Sequence, residues 1–410
     1  MIPPIERAGR IGLVVAYGEF AVLPSVVNSA ELLAEAGYGV DVIATRRFRF
    51  SVPPHRFAHP AIRVTWSDPG SLGQIRAVGW LPATRRLSAS VIELGRQERY
   101  LCLFGVDAEG LIAATWAGRQ LHIPVVYHSL EMELVAGELR VFLQGLRQRH
   151  SPLPVLLRRF AKNRLSALLK KPFERWAHRR AAFTVALDDV RATALLADNR
   201  LPDAEVLILP TAPLALRRAP DRQYLRRKYN LPADRTLLLQ IGALSDVARS
   251  LELAQAARSW PATWTLILHG FAFDPHYLRQ LREVADGQRV IVSTDLVPYA
   301  DLDDLVASAD IGLTLYRGID LNYIHMASGK LLEYLKCGLP VIATDLPNLR
   351  RILHDHQCGI CVLDETGVLT AAGRILENPQ AWADAARRCF RDRYDFASHF
   401  AHVLARIARL

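Results

Sequence analysis

Ser328-Gly-Lys-Leu-Leu-Glu-Tyr-Leu-Lys-Cys-Gly-Leu-Pro-Val-Ile-Ala-Thr344 reads as the end of a loop, a helix, a tight turn and a buried strand in one piece. Ser328, Gly329 and Lys330 open the helix, and Leu331, Leu332 and Leu335 give it an apolar face at helical spacing. Gly338 fits a C-cap, Pro340 blocks continuation, and residues 341–343 follow as a strand. The helix start combines free backbone N–H groups, a glycine that permits close approach, and the Lys330 cation, a set that suits a phosphate. Glu333, one turn on, supplies acceptors for sugar hydroxyls. A phosphate site beside such a carboxylate points to a nucleotide or nucleotide-sugar.

The rest of the chain bounds this reading. Its 410 residues exceed the usual limit of one core, so two domains are expected, and half the residues are hydrophobic, enough for two cores. No run of about 18 uncharged apolar residues marks a membrane span. Residues 1–10 carry Glu6, Arg7 and Arg10 with no apolar stretch, against a cleaved signal peptide. Five scattered cysteines suit a reducing cytoplasm. Cys358-Gly-Ile-Cys361 has the spacing of a redox or half-zinc site, but Ile360, Val362 and Leu363 make it a strand, and a structural role is expected. The formal charge of +10 is concentrated between Arg140 and Arg180, where twelve lysines and arginines accompany one acid, Glu174, and the rest of the chain is close to neutral. Such a patch calls for an anionic partner surface.

Strands and helices alternate in both halves, which predicts parallel doubly wound sheets. In the first half, strands are expected at 11–16, 40–44, 100–105, 125–128, 181–186 and 206–209, with helices at 25–36 and 108–121. In the second, strands at 236–241, 264–268, 289–292 and 311–315 precede the opening motif, with helices at 251–257, 276–285, 300–309, 348–354 and 369–377. The Arg- and Pro-rich stretch 214–234 reads as the linker. Residues 395–410 form one amphipathic helix with Phe396, Phe400, Val403, Leu404 and Ile407 on one face.

Four blocks in order carry a resemblance. Gln240-Ile-Gly-Ala-Leu-Ser-Asp-Val-Ala-Arg249 is a strand ending in glycine, then a basic loop; Ile267-Leu-His-Gly270 is a strand followed by glycine. Val297-Pro-Tyr-Ala-Asp-Leu-Asp-Asp-Leu-Val-Ala-Ser-Ala-Asp310 is a valine-proline, a leucine-rich helix and alanine-aspartate; Glu333 and Gly338-Leu-Pro-Val-Ile-Ala343 close the set. This pattern resembles the GT-B glycosyltransferases, in particular glycosyltransferase family 4 (the group 1 glycosyltransferases), strongly over 237–362 and more loosely in the first half. The resemblance implies two Rossmann-like domains facing a cleft: an acceptor domain, 1–212, with the basic amphipathic segment 140–180; a donor domain, 213–388; and a C-terminal helix, 389–410, crossing back to the first domain. It departs from the family at His325, where a first Glu is common, at Ala243 in place of Arg, and at Thr211 in place of Asn.

The chemistry implied is sugar transfer from a nucleotide-diphosphate donor, UDP- or GDP-linked, to a glycan or lipid-linked acceptor in envelope or exopolysaccharide synthesis. Family resemblance favours retention of configuration and needs no metal or resident cofactor. The leaving diphosphate requires fixed cations and N–H donors: Arg249 and Lys330, with Gly242, Ser328 and Gly329. Glu333 would hold the ribose, and His325 would replace the missing carboxylate at the sugar. His128 ends a strand, where loops of parallel sheets carry function, and is the third catalytic candidate. Gly18, Glu19 and Glu131 are cleft candidates on the acceptor side. Each has a bland alternative: an exposed lysine, a surface arginine, a core histidine. From Pro154, apolar positions at helical spacing interleaved with cations suggest a helix lying on an anionic membrane, the alternatives being a solvated face or an acidic polysaccharide site. Nucleic acid is a poor partner, since aromatics are sparse there. The expectation is a cytoplasmic enzyme, peripheral on the inner face of the cell membrane. Its rivals are a nucleotide-sugar epimerase of the same fold and a non-catalytic sugar-binding or scaffold protein. A dehydrogenase is disfavoured, because Ala16-Tyr-Gly-Glu-Phe20 lacks the Gly-x-Gly-x-x-Gly turn.

Overall fold

The computed structural model describes residues 9–18, 20, 23–46, 57–68, 80–131, 168–295, 297–298, 301–318, 324 and 328–410. The chain forms two compact units, Met1–Thr211 with Phe396–Leu410, and Ala212–Asp395. Each is a parallel sheet flanked by helices, the doubly wound architecture expected.

In the first unit the described strands are β1 (Arg10–Val15), β2 (Gly39–Thr45), β3 (Ile62–Ser67), β4 (Tyr100–Val106), β5 (Val125–Ser129), β6 (Ala181–Ala186) and β7 (Val206–Ile208), in the order β3-β2-β1-β4-β5-β6-β7. Strand order reverses between β1 and β4, the place where such sheets open a crevice at their carboxyl ends. Helices α1 (Pro24–Glu35), α2 (Trp80–Gln97) and α3 (Asp107–Leu121) cover the sheet, followed by α4, described over 168–178, and α5 (Asp189–Asn199). Helix α3 rests directly on strand backbone. A Cβ on Gly105 would stand 2.3 Å from Leu111 Cα, and one on Gly110 would stand 2.4 Å from the Val14 carbonyl oxygen.

The second unit has β8 (Thr236–Ala243), β9 (Trp264–Phe271), β10 (Val290–Ser293), β11 (Ile311–Thr314), β12 (Val341–Thr344) and β13 (Gly359–Val362), ordered β10-β9-β8-β11-β12-β13. Its helices are α6 (Tyr224–Lys228), α7 (Ser250–Ala257), α8 (Pro275–Val284), α9 (Leu302–Ala307), α10 (Gly329–Lys336), α11 (Pro347–Asp355), α12 (Val368–Leu376) and α13 (Pro379–Arg393). Leu238, Leu266, Leu313 and Ile342 from the strands meet Leu253, Leu281, Val368 and Ile375 from the helices in one core.

Three differences from the sequence reading have physical causes. Strand β3 alternates Arg63 and Thr65 with half-buried apolar residues, so its apolar signal is weak. The expected linker contains the short helix α6, which is tied back by Arg226 to the Ser308 carbonyl at 2.9 Å. The return to the first unit begins later than residue 389: Cys389 and Phe390 are buried in α13 of the second unit, and the returning helix is α14 (Phe396–Ile407). Phe396, Phe400, Val403 and Ile407 are buried as expected, and Arg406 pairs with Glu205 at 2.9 Å and lies over the Phe183 ring.

Most of the basic segment, residues 140–167, lies outside the described residues. Its described end is internally compensated. Lys170 is paired with Glu109 at 2.8 Å; Lys171, buried, lies 3.0 Å from Glu174 and 2.5 Å from Asp198. All five cysteines are free thiols, and Cys358 and Cys361 flank and enter β13 as a structural strand.

The amino ends of β1–β4 share a buried charge. Asp41 accepts from Arg10 Nε at 2.7 Å, Arg63 Nε at 2.8 Å and the Tyr100 hydroxyl at 2.9 Å. Burial alone would raise the Asp41 carboxyl, but these donors outweigh it and hold it below the usual range. We expect Asp41→Ala to destabilise the first unit by about 3–5 kcal/mol in denaturant unfolding, because it strands two guanidinium groups; a loss under about 1 kcal/mol would contradict that account.

Burial also lowers the pKa of His128, His178 and His269 to about 4. Their folded values lie below the ordinary value of 6.5, so the unfolded chain takes up protons first. Stability is therefore full above pH 6.5 and falls as pH drops toward 4, by up to about 3 kcal/mol per histidine. Thermal melts across that window check this: a melting temperature flat from pH 7 to 4.5 would refute it.

Candidate active site

The quoted stretch folds as read. Ser328 Oγ caps α10 by accepting the Leu331 N–H at 3.4 Å. At the far end Gly338 takes φ +77°, its N–H bonds the Leu335 carbonyl at 3.0 Å, and Leu339 N–H bonds the Tyr334 carbonyl at 2.9 Å. That paired closure satisfies the last carbonyls and turns the chain into β12.

Tyr334, unremarked in the sequence reading, sets the geometry. Strands β8 and β11 pair only at Leu238–Ile311 and Leu239–Gly312 and then diverge. The Tyr334 hydroxyl enters the split, accepting the Ile241 N–H at 2.9 Å and donating to the Leu313 carbonyl at 3.3 Å. Its ring needs the missing side chain of Gly312, where a Cβ would lie 2.4 Å away. A tyrosine on an otherwise apolar helix face was the available signal, since a buried hydroxyl requires a partner.

Above this bridge Gly242, next to last in β8, takes φ +96°, and Gly270 on β9 comes so close that a Cβ would stand 1.8 Å from the Gly242 oxygen. Lys330, from the first turn of α10, brings its Nζ to 3.7 Å from the position a Gly242 Cβ would occupy and 4.7 Å from the centre of the Tyr316 ring. No carboxylate among the described residues pairs with it. With Leu331 N–H capped, the N–H groups of Gly329 and Lys330 have no acceptor among the described residues, and a cation and an open glycine lie beside them. The arrangement suits an anionic oxygen.

The loop after β8 is held from both sides. Buried Gln240 donates to the Ala248 carbonyl at 2.8 Å and accepts from Ser250 Oγ at 2.8 Å. Arg317 bonds Glu252 and the Asp246 carbonyl, and its N–H donates to the Val247 carbonyl. Arg249 ends the loop with φ 53°, and its guanidinium is ion-paired with Glu365, 2.7 Å from Nε to Oε2. Its charge is thus already matched, unlike that of Lys330. Glu333 is buried on α10, where burial raises its carboxyl and Lys336 opposes the rise. His325 lies outside the described residues.

The remaining candidates lie on the first unit. His128, next to last in β5, is 2% exposed, and its Nε2 has no hydrogen-bond partner among the described residues. Gly18 is buried in the bend after β1, Glu131 is exposed after β5, and Glu19 lies outside the described residues. Asp107, missed in the sequence reading, knits these loops together. It sits at φ 54°, accepts the Leu130 and Glu131 N–H groups at 2.7 and 2.8 Å, and accepts from the Tyr17 hydroxyl. Among the described residues no group of three or more His, Cys, Asp or Glu is arranged to hold a metal ion, and no helix is long and apolar enough to cross a membrane.

Comparison with known proteins fits this geometry. Residues 22–212 match the glycosyl transferase 4-like domain, and residues 235–392 match the glycosyl transferases group 1 family. The chain belongs to the group 1 glycosyltransferases of the family-4-like kind, and its fold is GT-B. Similar solved structures include the Anabaena protein HepE in complex with UDP (14% identity, TM-score 0.65, 98% of this chain and 100% of that one). Sucrose-phosphate synthase from Thermosynechococcus elongatus is 17% identical with a TM-score of 0.67, covering 98% of each chain. WaaG, a glycosyltransferase involved in lipopolysaccharide biosynthesis, is 17% identical with a TM-score of 0.60, covering 96% of this chain and 99% of its own. No curated protein matches the chain at the level of sequence.

Removing the bridging hydroxyl with Tyr334→Phe leaves the Ile241 N–H and the Leu313 carbonyl unpaired in the core. It should cost about 1–3 kcal/mol in urea unfolding. Unchanged stability would mean the strands close without it.

Proposed function

We propose that this glycosyltransferase moves a sugar from a nucleoside-diphosphate donor, UDP- or GDP-linked, to a glycan or lipid-linked acceptor in envelope or exopolysaccharide synthesis. The observation that carries the donor reading is Lys330, a cation with no carboxylate partner among the described residues, at a helix N-terminus beside Gly242. Structures similar in fold were obtained with UDP or UDP-glucose, which supports the same donor class here. In the reaction the bond from the sugar's anomeric carbon to the diphosphate oxygen breaks, and that oxygen leaves with the electron pair. The acceptor hydroxyl oxygen bonds the anomeric carbon and passes its proton to the departing diphosphate oxygen. Lys330 and the Gly329 and Lys330 N–H groups stabilise charge growing on the leaving oxygen. Glu333 takes the ribose hydroxyls, His128 offers a ring nitrogen to the donor sugar, and His325 stands in for the usual first carboxylate. Gly18, Glu19 and Glu131 serve the acceptor side.

Retention without a metal rests on the family resemblance. Arg249 joins the diphosphate clamp only by exchanging Glu365 for the ligand, and this ion pair is the observation favouring the rival, a non-catalytic sugar-binding protein. We place the enzyme in the cytoplasm, peripheral on an anionic membrane. With Lys170 and Lys171 internally paired, cations elsewhere in the basic segment and exposed Leu168, Leu169 and Phe173 would make that contact.

A thermal-shift screen with UDP, GDP, ADP and CMP and their sugar conjugates tests the donor reading. One nucleoside diphosphate should raise the melting temperature, and Lys330→Met should weaken its binding about tenfold or more, a charged hydrogen bond being worth roughly 1.5–3 kcal/mol. Folded protein that responds to none of them would remove the transferase reading and leave the non-catalytic one.

A further inference from the structure

Lys336 is a charged residue with only 5% of its side chain exposed, on the helix that carries the phosphate and ribose candidates. Its Nζ lies 2.7 Å from Glu333 Oε2, one turn back, and 2.5 Å from Asp303 Oδ1 on α9. Two carboxylates thus share one ammonium, and the cluster keeps one net negative charge. Glu333 Oε2 is buried and meets the ammonium as an ion pair, and no second donor reaches it among the described residues. Asp303 holds the ammonium from the other side, so its charge is divided between the two carboxylates.

A buried carboxylate with no cation beside it takes up a proton, and a neutral acid offers one O–H donor and weakened acceptors. A ribose cis-diol presents two O–H donors close together, which suits an ionised carboxylate and not a carboxylic acid. Lys336 supplies the charge that keeps Glu333 ionised, and Asp303 keeps Lys336 from consuming the acceptor. We propose that the Lys336–Asp303 pair is the positioning device that makes Glu333 selective for a ribose cis-diol, so that the pair sets the discrimination between ribo- and 2′-deoxyribonucleotides. The proposal rests on the donor reading above and goes beyond it, because neither Lys336 nor Asp303 need touch the ligand.

The test measures dissociation constants by calorimetry for UDP and 2′-deoxy-UDP, or the guanine pair if GDP is the ligand. The wild type is compared with Glu333→Gln, Lys336→Met, Lys336→Arg and Asp303→Asn. The wild type should prefer the ribose form by tenfold or more. Lys336→Met should lose that preference to the level of Glu333→Gln while binding the deoxy form unchanged, and Lys336→Arg should restore part of it. A merely structural lysine would weaken both ligands together. Folded Lys336→Met that keeps the preference which Glu333→Gln loses overturns the proposal and spares the donor reading, as does a wild type that binds both forms equally. A wild type that binds neither nucleotide overturns both. If Lys336→Met does not fold, Asp303→Asn carries the test: the released ammonium closes on Glu333, and the preference should fall severalfold, an unchanged ratio overturning the proposal.

Discussion

The divergence of β8 and β11 creates the site, and one phenolic hydroxyl makes that divergence affordable. Where the strands part, each leaves a main-chain group without its ladder partner, which in a core costs as much as a lost hydrogen bond. Tyr334 answers both, the Ile241 N–H and the Leu313 carbonyl, from a helix that must lie against the sheet for the hydroxyl to reach. That requirement fixes α10, and with α10 fixed, Lys330 falls beside Gly242 and Glu333 falls beside α9. Gly312 is glycine because the Tyr334 ring occupies the space of its side chain. The anion site is therefore a consequence of how the sheet opens, and its precision derives from core packing.

Charge is distributed by the same economy. Most cations near the described core are matched: Arg10 and Arg63 with Asp41, Lys171 with Glu174 and Asp198, Arg249 with Glu365, Arg317 with Glu252. Lys330 differs, facing a tyrosine ring instead of a carboxylate. A ring face steadies an ammonium by about 0.5–2 kcal/mol without neutralising it, so the cation is held in place with its charge still available. Arg249 begins from the opposite condition, and an anion must compete with Glu365 for it.

Much of this was legible in the sequence because periodicity and punctuation are local. The run 328–344 announced its cap, its apolar face and its stop in consecutive residues, and each appears at its place. Alternating strands and helices gave both sheets, and the GT-B resemblance held. What escaped depends on contacts distant in sequence. Glu365 lies more than a hundred residues from Arg249, and nothing near Arg249 indicates that its charge is taken. Asp107 opens α3 as an ordinary acidic first-turn residue would; only the structure shows it accepting two N–H groups from the loop after β5. Lys170 and Lys171 counted as surface charge because composition does not reveal direction, and both point inward to acids.

The contrast between Asp41 and Glu333 separates a structural buried carboxylate from a functional one. Both are nearly excluded from water, and burial pushes both toward protonation. Asp41 receives two guanidinium groups and a phenol, which saturate both oxygens and bring the carboxyl below its ordinary range; no acceptor remains, and its place at the amino ends of the strands is remote from where such sheets bind ligands. Among the described residues Glu333 receives one ammonium, shared with Asp303, and its carboxyl stays above the ordinary value. Two buried carboxylates sharing one ammonium leave a negative charge without its own counter-ion, which is costly away from water. A ligand hydroxyl arriving at Glu333 recovers that cost on binding, so the incompleteness itself becomes a source of affinity.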